Sequence, residues 1–354
     1  MEPVVLALAS NESYFPGLYC TIASALAYLD PEREVDVNVL DGGLSQSSLD
    51  TLSSLVQRIR KHARLEFVTS DASIFDKATL GPGESRMAYC RLLLPQLLDV
   101  PRLIYLDCDV LVFRDLTWLY DLKLSNGKTV AAVPDSETLC LAEDSVALAK
   151  ATQIPPGDVY FNSGVMLMNL TELRRNNFFE SAVEFLNAWS GKYQFHDQSA
   201  INFLLQGRIQ PLTREWNWPA WRFDLQQNNE LNCIIHYTTS APWRGGTRAP
   251  SQLLFERFAR HAGLPTYRRG SDFQESRKQF FRNALAPSRA LGFPLISLFY
   301  RVVGQEDKAR GYQKAGKYWL NYIVNAPRRR RVHRRRAVEI ETMDFKPTMF
   351  ESAV

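Results

Sequence analysis

Asp107 and Asp109 are the side chains most clearly poised for chemistry. They stand i, i+2 at the end of the apolar run Leu103-Ile104-Tyr105-Leu106, with Cys108 between them and Val110-Leu111-Val112-Phe113 beyond. In an extended chain alternate side chains share a face, which points both carboxylates one way and Cys108 the other. Two hard oxygen donors on one side of a strand end suit Mn²⁺ or Mg²⁺, and a cation so held can bind a diphosphate. A pair of turn-capping carboxylates gives the same Asp-x-Asp string, but the strand leading into it favours the metal. His236 follows the apolar pair Ile234-Ile235, so it too stands near a strand end. An imidazole there is either a third ligand or a satisfied structural residue.

Other polar residues form a second tier. Arg91 by itself reads as a surface arginine on an amphipathic helix. Asp197, in Phe195-His196-Asp197-Gln198, can cap a helix and still offer one free carboxylate oxygen to a ligand. Trp216, Trp218 and Trp221 lie within six residues, and their indoles suit either a sugar-stacking wall or the core.

The elements that must hold these residues alternate between strand and helix, the pattern of an α/β domain with a mainly parallel sheet flanked by helices. Strands are expected at 4–9, 34–40, 65–68, 103–106, 129–133 and 165–169. Helices are expected from Pro16 to about Leu29, from a Ser45 cap to about His62, and near 88–98, 173–189 and 198–205. In such a sheet the ligand crevice lies beyond the carboxyl ends of the strands.

The 354 residues, 45% of them hydrophobic, are enough for one large domain plus an appendage, or for two modest domains. The net charge of +4 hides a segregation along the chain. Residues 1–256 carry 21 basic and 30 acidic side chains, residues 257–336 carry 20 and 4, and residues 337–354 carry 1 and 4. The expected division is therefore a catalytic domain over 1–250, a basic and mainly helical amphipathic extension over 251–336, and a flexible tail over 337–354. Residues 290–300 are apolar but interrupted by Pro294, and fall short of the roughly 20 residues of a spanning helix. Phe280, Phe281 and Leu285 sit among Lys278, Arg282 and Arg289, and Tyr312, Tyr318, Trp319 and Tyr322 among Lys314 and Lys317. With the arginines at 328–331 and 334–336, this reads as a surface-lying attachment to an anionic membrane. By composition alone the arginine run also suits nucleic acid; the interleaved aromatics favour the membrane. The start Met1–Ala9 lacks a basic stretch and a full apolar core for a secretory signal. Five scattered cysteines with no pairing or metal spacing point to free thiols. The expectation is a cytoplasmic protein held at the inner membrane surface.

Five stretches in order, ALASNESY, AYCRLLLP, YLDCDVLV, YFNSGVMLMNL with FHDQSAIN, and IHYTTSAPW, resemble glycosyltransferase family 8 across roughly residues 4–245. That family comprises retaining, metal-dependent enzymes of the GT-A fold, a Rossmann-like nucleotide-diphospho-sugar transferase architecture, and includes bacterial lipopolysaccharide galactosyl- and glucosyltransferases. The resemblance implies a UDP-sugar donor, a glycan or glycolipid acceptor, and Mn²⁺ or Mg²⁺ held by Asp107, Asp109 and His236. It implies donor contacts from Ala9, Asn11, Ser13, Tyr14, Arg91, Asp107, Cys108, Asn162, Asp197 and Gln198, with Asp197 and Gln198 at the sugar and Gln198 beside the anomeric carbon. Asp107, Asp109, Asp197 and Gln198 form the expected catalytic set. Asn11 stands where the family often has an acidic residue. The late motif is one residue short, with Thr239 in place of glycine and Ala241 in place of the lysine that meets the donor phosphates; Arg244 or Arg248 stands close enough in sequence to substitute. The missing lysine leaves open a second reading, a nucleotide-sugar-binding protein with weak or lost transfer.

Overall fold

The structure is a computed structural model. It describes residues 2–76, 78, 86–135, 140–153, 155, 157–225, 231–238, 241–244, 249–264, 289, 291–302, 313, 320, 326–343 and 345. Phe280, Phe281, Leu285, Lys278, Arg282, Tyr312, Tyr318, Trp319, Tyr322, Lys314, Lys317 and Arg248 lie outside the described residues, as do the side chains of the arginines at 328–331 and 334.

The main sheet has seven strands. In chain order they are β1 (Val4–Ser10), β2 (Val35–Asp41), β3 (Arg64–Thr69), β4 (Arg102–Leu106), β6 (Val130–Pro134), β7 (Phe161–Asn169) and β8 (Ile209–Pro211). Their spatial order is β3-β2-β1-β4-β7-β6-β8. All pairs are parallel except those made by β7, which runs antiparallel to both β4 and β6. β1 is apolar at almost every position and is buried along its length, as a central strand covered on both faces must be. A second sheet, β5-β10-β9, joins β5 (Val110–Val112), β9 (Trp218–Pro219) and β10 (Ile234–His236). The helix Phe15–Tyr28 packs against β5, and the helix Gln46–Ile59 packs on it in turn. Ser45 caps the latter by accepting from the Ser48 amide, as expected.

Three local expectations need correction. Asp107 and Asp109 are not in an extended strand; β4 ends at Leu106, and Asp107–Asp109 form the turn that hands the chain to β5 in the other sheet. The expected helix at 88–98 is a 3₁₀ run, Arg86–Leu93, followed by one α-turn, Leu94–Leu97. Pro95 has no N–H to bond the Arg91 carbonyl, so a regular α-helix cannot run through. The expected helix at 173–189 is two, Leu170–Arg175 and Phe178–Ala188, broken where Asn177 takes φ +49°.

The helix Pro250–His261 packs on the helix Phe15–Tyr28, and the C-terminal helix Ala326–Glu341 packs on Pro250–His261. The expected tail boundary at 337 thus falls inside a helix, and Ile340 and Phe345 are buried, Phe345 stacked on Phe113 and edge-on to Phe258. Arg336, expected in an exposed basic patch, is only 2% exposed and lies over the Phe223 ring, ion-paired to Glu339. Among the described residues no helix is long and apolar enough to cross a membrane.

Candidate active site

The C-terminal ends of β1 and β4 meet where the strand order reverses, and the polar residues converge there. The turn after β4 delivers Asp107 and Asp109, and β10 delivers His236 from the second sheet. His236 Nε2 lies 3.2 Å from Asp109 Oδ1 and 3.6 Å from Asp107 Oδ2. One ligand atom from each of the three residues falls within 4.8 Å of the others. The Asp107 amide donates to Gly164 O at 2.8 Å, which ties the turn to β7. Gly164 can only be glycine here: a Cβ would stand 2.2 Å from the His236 ring and 2.7 Å from Asp107 Oδ2.

The residues present fit a divalent cation. His236 Nδ1 is 2.9 Å from Asn217 Oδ1, an atom that only accepts, so Nδ1 carries the proton and the Nε2 lone pair faces both carboxylates. Asn217 Nδ2 donates in turn to Asn162 Oδ1 at 2.7 Å, as the assigned amide orientation requires. Burial opposes a charged imidazole, but Asp109 and Asp107 outweigh it and raise the His236 pKa. A proton on Nε2 and a cation compete for the same place.

Arg91 is buried and binds several partners. Nη2 meets Asp107 Oδ1 at 2.8 Å, Nη1 donates to Ser163 O at 2.9 Å and to Ser163 Oγ at 3.0 Å, and the guanidinium lies over the Tyr105 ring. Nε donates to Ala88 O, so its 2.9 Å approach to Asp197 Oδ2 is a charge contact rather than a hydrogen bond. That carboxylate oxygen is buried without a hydrogen-bond partner, so its acceptor capacity is unused. Burial pushes the Asp197 carboxyl up to about 6 against the pull of Arg91. Burial disfavours the Arg91 charge, yet Asp107 and Asp197 more than offset it and raise its pKa. Tyr105 donates to Asp107 Oδ1 at 3.0 Å, and burial holds its phenol protonated.

The residues expected at the sugar form one network. Gln198 Oε1 accepts from the Ser163 amide at 3.0 Å, and both Gln198 Nε2 and Asn162 Nδ2 donate to Asp135 Oδ2 at 3.3 Å. Asp197 and Gln198 open the helix His196–Leu204, and His196 precedes them at φ +54°, a strained left-handed entry that turns the helix start into the site. Among the residues expected to meet the nucleotide, the Cys108 thiol donates to Ala9 O at 3.0 Å. Ser13 Oγ donates to Asn11 Oδ1 at 2.8 Å. Tyr14 packs edge-on to Trp243, whose Nε1 donates to Ser13 O, and the Arg244 guanidinium carbon lies 5.5 Å from the Tyr14 ring centre.

Two hollows flank the cluster. The smaller, about 210 Å³, is lined by Ala9, Asn11, Tyr14, Ala88 and Cys108 among others. The larger, about 710 Å³, is lined by Asn162, Gln198, Trp218 and Trp221 among others. Arg91, Asp107, Asp109 and Asp197 border both. Every expected site residue is thus at the cluster or a hollow except Ser13, which lines neither and bonds Asn11. Trp216 is buried outside both, under Arg114. Sequence reading missed Asp135, Ser163 and Asn217. Asp135 had a signal, because it follows the end of β6 as Asp107 follows β4; Asn217 had none, being hidden between two tryptophans.

Residues 5–246 match the sequence model of glycosyl transferase family 8. The chain belongs to this family. It is a glycosyltransferase, as the five ordered motifs imply. It is 28% identical over 260 residues to general stress protein A of Bacillus subtilis (strain 168), covering 68% of this chain and 87% of that protein. It is 32% identical over 185 residues to the lipopolysaccharide 1,2-glucosyltransferase of Escherichia coli (strain K12), covering 49% of this chain and 53% of that one. The crystal structure of galactosyltransferase LgtC with donor and acceptor sugar analogues superposes with a TM-score of 0.62 at 24% identity, over 74% of this chain and 97% of LgtC. That likeness establishes the GT-A fold.

Proposed function

We propose that the protein is a retaining transferase that moves glucose or galactose from a UDP-sugar to a hydroxyl of a cell-surface glycan or glycolipid, such as lipopolysaccharide. The observation that carries this reading is the Asp107–Asp109–His236 cluster lying between a nucleotide-side hollow and a wider cleft. Those three residues would hold Mn²⁺ or Mg²⁺, which when bound neutralises the diphosphate of the departing UDP. The chain's own residues do the rest. The end of β1 at Ala9 and the stretch after it, with Asn11 and Tyr14, would line the nucleoside side, and Arg244, over the Tyr14 ring, would stand in for the missing phosphate-binding lysine. Asp197 Oδ2 and Asn162 hold the sugar hydroxyls, and Arg91 keeps Asp197 charged and in place.

Retention at C1 favours a front-face route. Gln198 is a poor nucleophile, and its Oε1 already accepts from the Ser163 amide. The acceptor oxygen bonds C1 as the C1–O bond to UDP breaks, and the acceptor proton passes to a diphosphate oxygen of the leaving group.

The C-terminal extension would attach the enzyme to an anionic inner-membrane surface from the cytoplasmic side. Residues 291–302 are helical and expose Leu291, Leu295, Leu298 and Val302 at i, i+4, i+7 and i+11, beside Phe299, within the strongly basic stretch 257–336. The test of function is Mn²⁺-dependent UDP release from UDP-glucose or UDP-galactose. Release abolished by Asp109→Ala supports a transferase; tight UDP-sugar binding with no release and no transfer overturns it in favour of a binding protein.

A further inference from the structure

The strands that bring Asp109 and His236 together are too short to keep their register unaided. β5 and β10 pair over three residues each, and β9 adds two. So small a sheet depends on what packs against it. At the cluster end of the β5–β10 pair the Tyr237 amide donates to Asp109 O at 2.9 Å, and at the far end the Phe113 amide donates to Cys233 O at 3.0 Å. Phe113 stands only four residues from Asp109, about 13 Å of strand, so a shift at one end reaches the other.

The support at the far end comes from the last part of the chain. Phe345 is buried, its ring centre 6.1 Å from that of Phe113 and the two planes 15° apart. The helix Pro250–His261 holds it there: the Arg257 guanidinium carbon lies 5.3 Å from the Phe345 ring centre, and Arg257 Nη1 donates to Ile340 O. Arg336 and Ile340 stand i, i+4 on the helix Ala326–Glu341 and are 2% and 1% exposed, whereas the neighbouring Arg335 and Val338 are exposed. The Arg336 guanidinium carbon lies 4.5 Å from the Phe223 ring centre. Phe223 closes the short helix Ala220–Phe223, which follows β9 directly and packs on β10. Phe345 thus bears on the end of β5, and Arg336 on the cover of β9 and β10. The helix Pro250–His261 also meets the cluster end. Tyr237, next to His236, donates its hydroxyl to Ser251 O at 2.7 Å and packs edge-on to Phe255.

Arg336, Ile340 and Phe345 lie outside residues 5–246, the stretch that matches the family model. An appendage needed only for membrane attachment would not turn Ile340 and Phe345 inward; Leu291, Leu295 and Val302 show the outward arrangement. We propose that Arg336, Ile340 and Phe345 form a clasp that positions the metal cluster, holding the register of the second sheet and through it the approach of Asp109 to His236. They are positioning residues, acting through the sheet and not on the cation. This rests on the reading of the cluster as a divalent-cation site.

The experiment compares the full-length wild type with Phe345→Ala, Arg336→Ala and, as a control for stability lost elsewhere, Leu52→Ala in the helix Gln46–Ile59. Hydrogen exchange without metal, read by mass spectrometry, follows residues 109–113 and 231–238 against residues 35–41 of the main sheet. Mn²⁺ affinity is read from the free-ion electron paramagnetic resonance signal. Both clasp variants should speed exchange in the first two stretches by about fivefold or more beyond any change in the third, and should weaken Mn²⁺ binding by about the same factor. Leu52→Ala should leave Mn²⁺ affinity within about twofold of wild type and give the second sheet no excess of exchange. Phe345→Leu and Arg336→Lys should restore part of both losses. Equal acceleration in all three stretches, or Mn²⁺ binding within about twofold of wild type in both clasp variants, overturns the proposal. Where a clasp variant does not fold, the wild type decides: saturating Mn²⁺ should slow exchange at residues 336–343, since coupling is reciprocal, and no slowing overturns the proposal. Should the wild type bind no Mn²⁺, the metal reading falls. Metal-free exchange that rises only in the second sheet then still supports the clasp, and uniform exchange overturns it.

Discussion

Asn217→Ala isolates the part of the proposed metal site that none of its three candidate ligands supplies. In the wild type, Asn217 Oδ1 sits 2.9 Å from His236 Nδ1 and fixes which imidazole nitrogen faces Asp107 and Asp109. The variant leaves a buried ring N–H without an acceptor, at a cost of about 1–3 kcal/mol, and frees the proton to move to Nε2. Losing such an outer partner typically weakens metal binding by about 10–100-fold, or about 1.4–2.7 kcal/mol. Asn217→Asp separates the two jobs of this residue. A carboxylate still accepts from Nδ1–H, so Mn²⁺ affinity should stay within about threefold of wild type. It cannot donate to Asn162 Oδ1, so donor-sugar binding should weaken while metal binding holds. The assay is loss of the free Mn²⁺ electron paramagnetic resonance signal on titration, with thermal unfolding as the folding control. If Asn217→Ala folds normally and binds Mn²⁺ within about twofold of wild type, the tautomer argument is wrong.

Three further outcomes are expected. Arg91→Ala strands Asp107 and Asp197 without their buried cation and should lower stability by about 3–5 kcal/mol, with Mn²⁺ restoring part of it, as read by denaturant unfolding with and without metal. Gly164→Ala drives a Cβ into the His236 ring, so Mn²⁺ affinity should fall more than the roughly 1–3 kcal/mol stability cost of overpacking suggests; calorimetric Mn²⁺ titration checks it. Asp224, buried under the C-terminal helix, has its carboxyl pushed up to about 6 by burial, against the Ser251 bonds and Arg336. An acid with a raised folded pKa holds its proton better in the folded state, so its contribution to stability falls as pH rises from about 4 through about 6, by roughly 2–3 kcal/mol. Asp224→Asn should flatten that slope in unfolding curves taken from pH 4.5 to 8, and an unchanged slope would rule the assignment out.

The strands that carry the site were legible because their physics is local. β1 and β4 are short apolar runs that end in polar residues, and burial on both faces leaves that signature in a single stretch of chain. The antiparallel run of β7 was not legible, because strand direction is set by the connection before it and not by its own residues. The break at Asn177 and the 3₁₀ run at Arg86–Leu93 were missed because both stretches keep the apolar content of a helix. Arg336 was misplaced for a related reason. Within an arginine run nothing in the sequence marks the one residue that turns inward to cover Phe223.

By itself the sequence determined the donor types: two carboxylates after one strand, an imidazole after another, an Asp-Gln pair at a helix start, and a basic C-terminal stretch. Only the tertiary structure decided how they meet. The Asp107–Asp109 turn converges on His236 because β5 and β10 pair in a second sheet, and Asn217 reaches His236 because β9 pairs beside it. Residue type and spacing constrain what a side chain can bind. Which side chains come close enough to share one cation depends on pairing between strands more than a hundred residues apart, a contact free energy that no local pattern encodes.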